Sequence, residues 1–225
     1  MLKQALLDLF KQECEFDNFI QFNNQLAFTS LSTLTNQFTH LFGEHNVGKT
    51  HLLKAWVNLA NRKYNSAIYL MADELTSFSI YDIDLDTYKF IAIDDIDNID
   101  NDIQDALFKL FNRIKLTNGD THLLTSSSSN LNQVSIRDDL KTRIHSGVVF
   151  QIRPLSDDML MNALISYTNK IGLVINASEL GYLINHTNRN LGEIIDLLNK
   201  ISHYAVTHKK NISIHTIKQA IFIND

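Results

Sequence analysis

A chain of 225 residues, 44% hydrophobic and 20% charged, is long enough for one or two packed domains. Its formal net charge of -5 argues against a protein that grips DNA through a positive field over its whole surface, although a local basic patch stays compatible with it. A single cysteine, Cys14, excludes an intramolecular disulfide framework and a Cys-rich zinc site. One proline and seven glycines argue against long linker tracts.

Residues 1–15 read as an amphipathic or extended arm, too short and too charged for a signal peptide or a spanning helix. No other window approaches the roughly 18 unbroken apolar residues of a membrane span. The expectation is a soluble, cytoplasmic protein without a membrane partner. Short apolar, β-prone runs predict strands at 38–43, 66–71, 88–93, 122–127 and 147–152. Between them, helical spacing predicts helices from Lys49 to about Arg62, over 101–116 and over 136–145. In the second of these, Ile103, Leu107, Leu110, Phe111 and Ile114 form one stripe, closed by Asn118-Gly119. Strands apolar on both faces and separated by helices are the pattern of a buried parallel sheet in an α/β layer.

After Pro154 only helix patterns remain, at about 157–170, 178–187, 189–207 and 214–222. Ser156 with Asp157 and Asp158 suits a helix start, because a hydroxyl cap and carboxylates both favour the positive end of the helix dipole. The expected organisation is therefore an arm over 1–15, an α/β nucleotide-binding base over 16–153 and a helical lid over 154–225.

The strongest local signal is Gly43-Glu44-His45-Asn46-Val47-Gly48-Lys49-Thr50. It fits GxxxxGK followed by Thr and lies between a strand and a helix, the context that such a loop requires. Glycines let the backbone fold into a nest of N–H groups aimed at phosphate oxygens, and the following helix adds its positive end. Lys49 would reach the β- and γ-phosphates, and Thr50 would offer its hydroxyl to Mg²⁺. The second signal is the strand FIAI running into Asp94 and Asp95. Asp94 would hold the metal and Asp95 would polarise an attacking water. His45 and His51 lack further His or Cys at ligand spacing, so loop and helix roles are assigned to them instead.

The ordered set GKTHLL (48–53), IDDID (93–97), FKLFNRI (108–114) and LLTS (123–126) resembles the AAA+ module of the DnaA-like family. The likeness extends over about residues 16 to 222. It implies a five-stranded parallel sheet in the order 5-1-4-3-2 with a small all-α lid, binding ADP or ATP with Mg²⁺. Upstream, Phe16, Phe19 and Ile20, followed by Asn24 and Leu26-Ala27, resemble the box that covers adenine, and His51 joins them in the nucleotide set. LKTRI (140–144) is similar to the segment carrying an arginine finger, with Arg143 its candidate and Arg137 an alternative. NRNLGEIIDLL (188–198) resembles the sensor 2 helix, which assigns Arg189 to the bound phosphates. TSSSSN (125–130) departs from the family's strand tip, which places polar assistance from that segment in doubt.

The chain has room for neither the separate interaction domain nor the DNA-reading domain of the initiators. It is most similar in this respect to the Hda-type regulatory inactivators of DnaA, which RPLSDD (153–158) also resembles. The arm, Gln4-Ala5-Leu6-Leu7-Asp8-Leu9-Phe10, resembles the short peptide by which bacterial proteins bind the sliding clamp. Gln4 with Leu7 and Leu9 fits a six-residue form, and Leu6 to Phe10 a five-residue form. An amphipathic helix packing on the base is the plainer alternative. The resemblance thus implies a negative regulator of replication initiation that binds the sliding clamp, reaches DNA only through it, and stimulates ATP hydrolysis on DnaA with Arg143 in trans. Assembly with further copies of the chain is left open. Two alternatives remain: an ATPase of the DnaA or helicase-loader type spending its own ATP, and a clamp adaptor with a structural nucleotide.

Overall fold

The computed structural model describes residues 14–208 and 210–222. Gln4, Leu6, Leu7, Leu9 and Phe10 therefore lie outside the described residues. Two compact units are present, one over 14–154 and the other from Leu155 onward.

The first unit is built on five parallel strands: β1 (Phe38–Phe42), β2 (Ala67–Met71), β3 (Phe90–Asp94), β4 (His122–Ser127) and β5 (Val148–Gln151). Their order is β2-β3-β4-β1-β5, the 5-1-4-3-2 arrangement expected from the family likeness. β1 lies between β4 and β5, pairing Thr39 with Leu124 on one side and Val148 on the other. Period-2 alternation sends neighbouring residues into opposite layers. Ile91, Ile93 and Leu123 pack with α4 (Asn101–Lys115) and α5 (Asp138–His145). Phe90, Ala92, Leu124 and Leu41 pack with α1 (Gln25–Thr33) and α2 (Lys49–Tyr64). Every residue of β3 is buried, which is why that strand reads as an unbroken apolar run.

Local chemistry sets the helix ends. The Asp100 carboxylate accepts from the Ile103 N–H at 2.8 Å and starts α4, whose five predicted stripe residues are all buried. The helix expected over 136–145 begins two residues later, because Arg137 stays extended and gives its N–H to Gln104 Oε1 at 2.8 Å. Two helices escaped the periodicity. α1 has the Ser- and Thr-rich sequence QLAFTSLST, and α3 (Ser77–Tyr81) is a single turn capped by Thr76.

The second unit is all-helical: α6 (Asp157–Lys170), α7 (Ala177–Asn185), α8 (Leu191–His208) and α9 (Ile214–Phe222). Its core joins Leu160 and Leu164 to Leu180, Leu183, Ile194, Leu198, Ile201 and Ile217. α8 starts two residues later than its sequence pattern, because Arg189 is left-handed (φ 55°) and the Asn190 side chain accepts from the Gly192 N–H at 2.8 Å. Among the described residues no helix is long and apolar enough to cross a membrane.

Candidate functional site

The loop from Gly43 to Thr50 joins β1 to α2. Two glycines are needed for different reasons. A Cβ on Gly43 would collide with the Ile152 carbonyl at the end of β5. Gly48 has φ 102°, a conformation L side chains rarely adopt, and a Cβ there would sit 2.9 Å from the Phe19 ring. Asn46 supplies a further left-handed position (φ 65°), which its short polar side chain tolerates.

Lys49 is 5% exposed, and its ammonium donates to the carbonyls of Gly43 at 2.8 Å and Glu44 at 2.9 Å. Burial lowers its pKa, while the nearby Asp95, Asp94 and Asp97 oppose that shift. A cation desolvated against backbone carbonyls, in a loop whose glycines leave no room for side chains, fits an anionic phosphate group.

Asp94 ends β3 and is 1% exposed. Both of its carboxylate oxygens are engaged: Tyr69 on β2 donates its hydroxyl to Oδ2 at 2.8 Å, and Ser126 on β4 donates to Oδ1. Burial, reinforced by the hydrogen bond to Asp94, pushes the Tyr69 hydroxyl pKa well up, so the phenol stays a donor. Asp95 is left-handed (φ 57°), and its N–H donates to the same Ser126 hydroxyl at 2.9 Å. Burial and then the Asp94 charge raise the Asp95 carboxyl pKa, with Lys49 opposing.

At the serine-rich strand tip, where polar assistance was in doubt, Ser126 and Ser128 bond to the acidic loop. Besides Ser126, Ser128 gives its N–H and hydroxyl to the Asp97 carboxylate at 2.7 and 2.8 Å. Ser127 donates to the Ser129 carbonyl at 2.6 Å and pairs with His40 Nε2 at 3.0 Å. His40 Nδ1 pairs with Thr125 at 2.8 Å. His40 is fully buried in the middle of β1, and desolvation lowers its pKa to about 3.

The upstream box folds back over α2. His51 Nε2 donates to the Glu15 carbonyl at 2.9 Å, and its pKa is lowered mainly by burial. Phe19 lies 5.6 Å from the His51 ring and stacks on Phe28 at 6.3 Å, and Phe28 meets Phe16 edge-on at 5.2 Å. Ile20 is half-buried in the same segment. Asn24 is a structural tie: it exchanges hydrogen bonds with the Arg153 backbone at 3.0 and 2.9 Å.

The structure thus gathers Gly43, Gly48, Lys49, Asp94 and Asp95 around one loop, with Phe19 and His51 adjoining it. Glu44, His45 and Thr50 are exposed there, and Val47 packs inward on the α2 side. Arg143 stands apart on α5: its guanidinium rests 5.4 Å from the Phe108 ring and makes no ion pair among the described residues. Arg137 is held by Asp139 at 2.5 Å and Asp105 at 3.4 Å. Arg189 belongs to the helical unit, where it pairs at 3.5 Å with Asp157. Tyr69 and His40 were not picked out from sequence, where each reads as an ordinary strand residue; Ser126 figured there only within LLTS and TSSSSN, with no role of its own. Among the described residues no group of three or more His, Cys, Asp or Glu could hold a metal ion.

The family model for the bacterial DnaA ATPase domain matches residues 10–151, and that for the Hda lid domain matches residues 157–221. An uncharacterized protein of Haemophilus influenzae is 26% identical over 230 residues, spanning 98% of this chain and 99% of its own. Among solved structures, domain III of the Thermotoga maritima replication initiation protein DnaA has a TM-score of 0.77 at 16% identity, covering 93% of this chain and 96% of its own. AMPPCP-bound DnaA from Aquifex aeolicus has a TM-score of 0.72 at 21% identity, covering 86% of this chain and 66% of its own. At these identities the solved structures establish the shared fold, and the two family models, which divide the chain between them, establish kinship. The chain belongs to the bacterial DnaA ATPase-domain family, as a DnaA-like AAA+ protein close to Hda.

Proposed function

We propose that this protein is a negative regulator of replication initiation that binds an adenine nucleotide and stimulates ATP hydrolysis on DnaA by presenting Arg143 in trans. The observation that carries the reading is the contrast between two neighbouring arginines. Arg137 is committed to Asp105 and Asp139, whereas Arg143 makes no ion pair among the described residues and rests only on the face of Phe108. A guanidinium without a carboxylate partner keeps its charge and planar fork for an incoming phosphoryl oxygen.

Gly43 to Thr50 and Asp94 would hold ADP or ATP with Mg²⁺, with Phe16, Phe19, Ile20 and His51 on the adenine side; for Arg189 the phosphate role rests on the family resemblance alone. The nucleotide, when bound, would supply the anion that releases Lys49 from the loop carbonyls. The arm would deliver the protein to the sliding clamp and so, indirectly, to DNA. DnaA and the clamp are thus the two proposed partners, and the cytoplasm the proposed compartment.

A second reading, a DnaA-like ATPase, is favoured by one feature: Asp95 stands beside Lys49 with its backbone fixed by Ser126. Clamp-independent turnover abolished in Asp95→Asn would establish it. The arm is tested separately. Replacing Gln4, Leu7 and Phe10 together with alanine should remove capture on immobilised sliding clamp by tenfold or more, since anchor residues carry most of such an interface. Nucleotide binding should be unchanged. Undiminished capture would contradict the arm's role.

A further inference from the structure

The helical unit carries a face whose charge differs from that of the chain as a whole. Between residues 197 and 224 there is no Asp or Glu; all 25 acidic residues lie elsewhere. The same stretch holds Lys200, Lys209, Lys210 and Lys218 with His203, His208 and His215. A local positive field is thus built into a chain of net charge -5.

Side-chain contacts organise part of this stretch into a repeated device. Tyr182 on α7 stacks on His186 at 4.0 Å, with the Lys218 ammonium of α9 5.7 Å from its ring. Tyr204 on α8 stacks on His208 at 4.1 Å, with the Lys210 ammonium 5.5 Å from its ring. Gln219, next to Lys218 on α9, accepts from Lys210 at 2.8 Å and joins the two groups. His186, His208, Lys210 and Lys218 are all exposed, and among the described residues neither lysine makes an ion pair.

Elsewhere in the unit Arg189 pairs with Asp157 and Glu179 caps its own helix; what sets Lys210 and Lys218 apart is that each lies over a tyrosine ring stacked on a histidine. Two unneutralised cations, each backed by a pair of stacked rings, match a polyanion with repeating charges and flat bases or sugars more closely than they match an acidic protein surface. Rings interleaved with the cations also favour nucleic acid over a lipid headgroup layer.

We propose that this face of α7, α8 and α9 binds the phosphate backbone of nucleic acid through Lys210 and Lys218, with the Tyr182–His186 and Tyr204–His208 pairs flanking the strand. The contact would be independent of sequence and of the clamp, so it stands or falls apart from the proposed regulation of DnaA.

The test uses the full chain without clamp, with fluorescence anisotropy of a labelled dT 20-mer and of a 20-base-pair duplex at low salt. Wild type should bind one or both at least as tightly as about 10⁻⁶–10⁻⁴ M, the range typical of non-specific contacts at physiological salt. Two lysine contacts predict that log K falls with log salt at a slope of about -1.4 on the single strand or -1.8 on the duplex. K210E/K218E should weaken binding about tenfold or more, whereas the charge-matched K63E/K115E should change it less than about threefold. Circular dichroism and melting check the fold, and K210A/K218A serves if charge reversal unfolds the unit. Absence of wild-type binding, equal loss in both double variants, or undiminished binding in the lid variants would overturn the proposal. So would a lid variant that loses binding to phosphatidylglycerol vesicles but not to DNA, since the face would then meet membranes.

Discussion

Replacing Arg143 with alanine is expected to slow the stimulated loss of ATP from DnaA by about 10³-fold, within the range that arginine fingers contribute in other NTPases. The effect should be confined to that step. Arg143 is half-buried on α5 with its guanidinium over Phe108, while the buried Leu140 and Ile144 anchor the helix. Melting temperature and nucleotide affinity should therefore stay near wild type. Arg143→Lys should recover little, because an ammonium cannot reproduce the planar two-pronged donor. Arg137→Ala is the informative neighbour. It removes the solvent-screened ion pairs to Asp105 and Asp139, which contribute little to the fold, and should leave stimulation largely intact. Assays of labelled ATP on DnaA, run beside thermal melts, distinguish these outcomes; a fully active Arg143→Ala protein would mean that another group acts in trans.

Acid should destabilise the sheet through His40. Its pKa is about 3 in the folded chain against 6.5 for the unperturbed side chain, because desolvation at the centre of β1 disfavours the imidazolium. Between those values the unfolded chain binds a proton that the folded chain does not, so stability falls as pH falls. Above pH 6.5 His40 costs nothing; from there toward pH 3 the loss accrues at about 1.4 kcal/mol per pH unit, to an upper bound of about 5 kcal/mol. Between pH 7 and pH 5 the expected loss is about 2 kcal/mol. His40→Gln keeps a hydrogen-bonding side chain toward Thr125 and Ser127 and should remove this component. Urea unfolding of both proteins at the two pH values measures it, and parallel pH dependence would assign the acid sensitivity to other groups.

The base was legible where one physical signal dominates. Five short, mainly apolar runs gave the strands to within two residues, since strands covered on both faces carry few polar residues. Gly43, Gly48 and Lys49 stood out because backbone geometry and buried charge admit few other residues there. α1 and α3 were missed because Ser, Thr and aromatic residues carry weak helix propensity, and packing against α2 or α4 overrides it. The pairings of Tyr69, Ser126 and His40 were invisible for a different reason. Their partners lie 25, 32 and 85 residues away in the chain, and only the strand register brings them together. The delayed start of α8 has a local cause, a left-handed Arg189 followed by an Asn190 cap, that hydrophobic periodicity does not carry.

In the proposed function this protein accelerates hydrolysis of nucleotide held by another molecule. The most direct measurement loads DnaA alone with γ-labelled ATP, supplies this protein with unlabelled ADP, and follows labelled phosphate with and without clamp-loaded DNA. Release that rises only when this protein and clamp-loaded DNA are both present is the predicted result. Release unchanged by the protein would contradict the account.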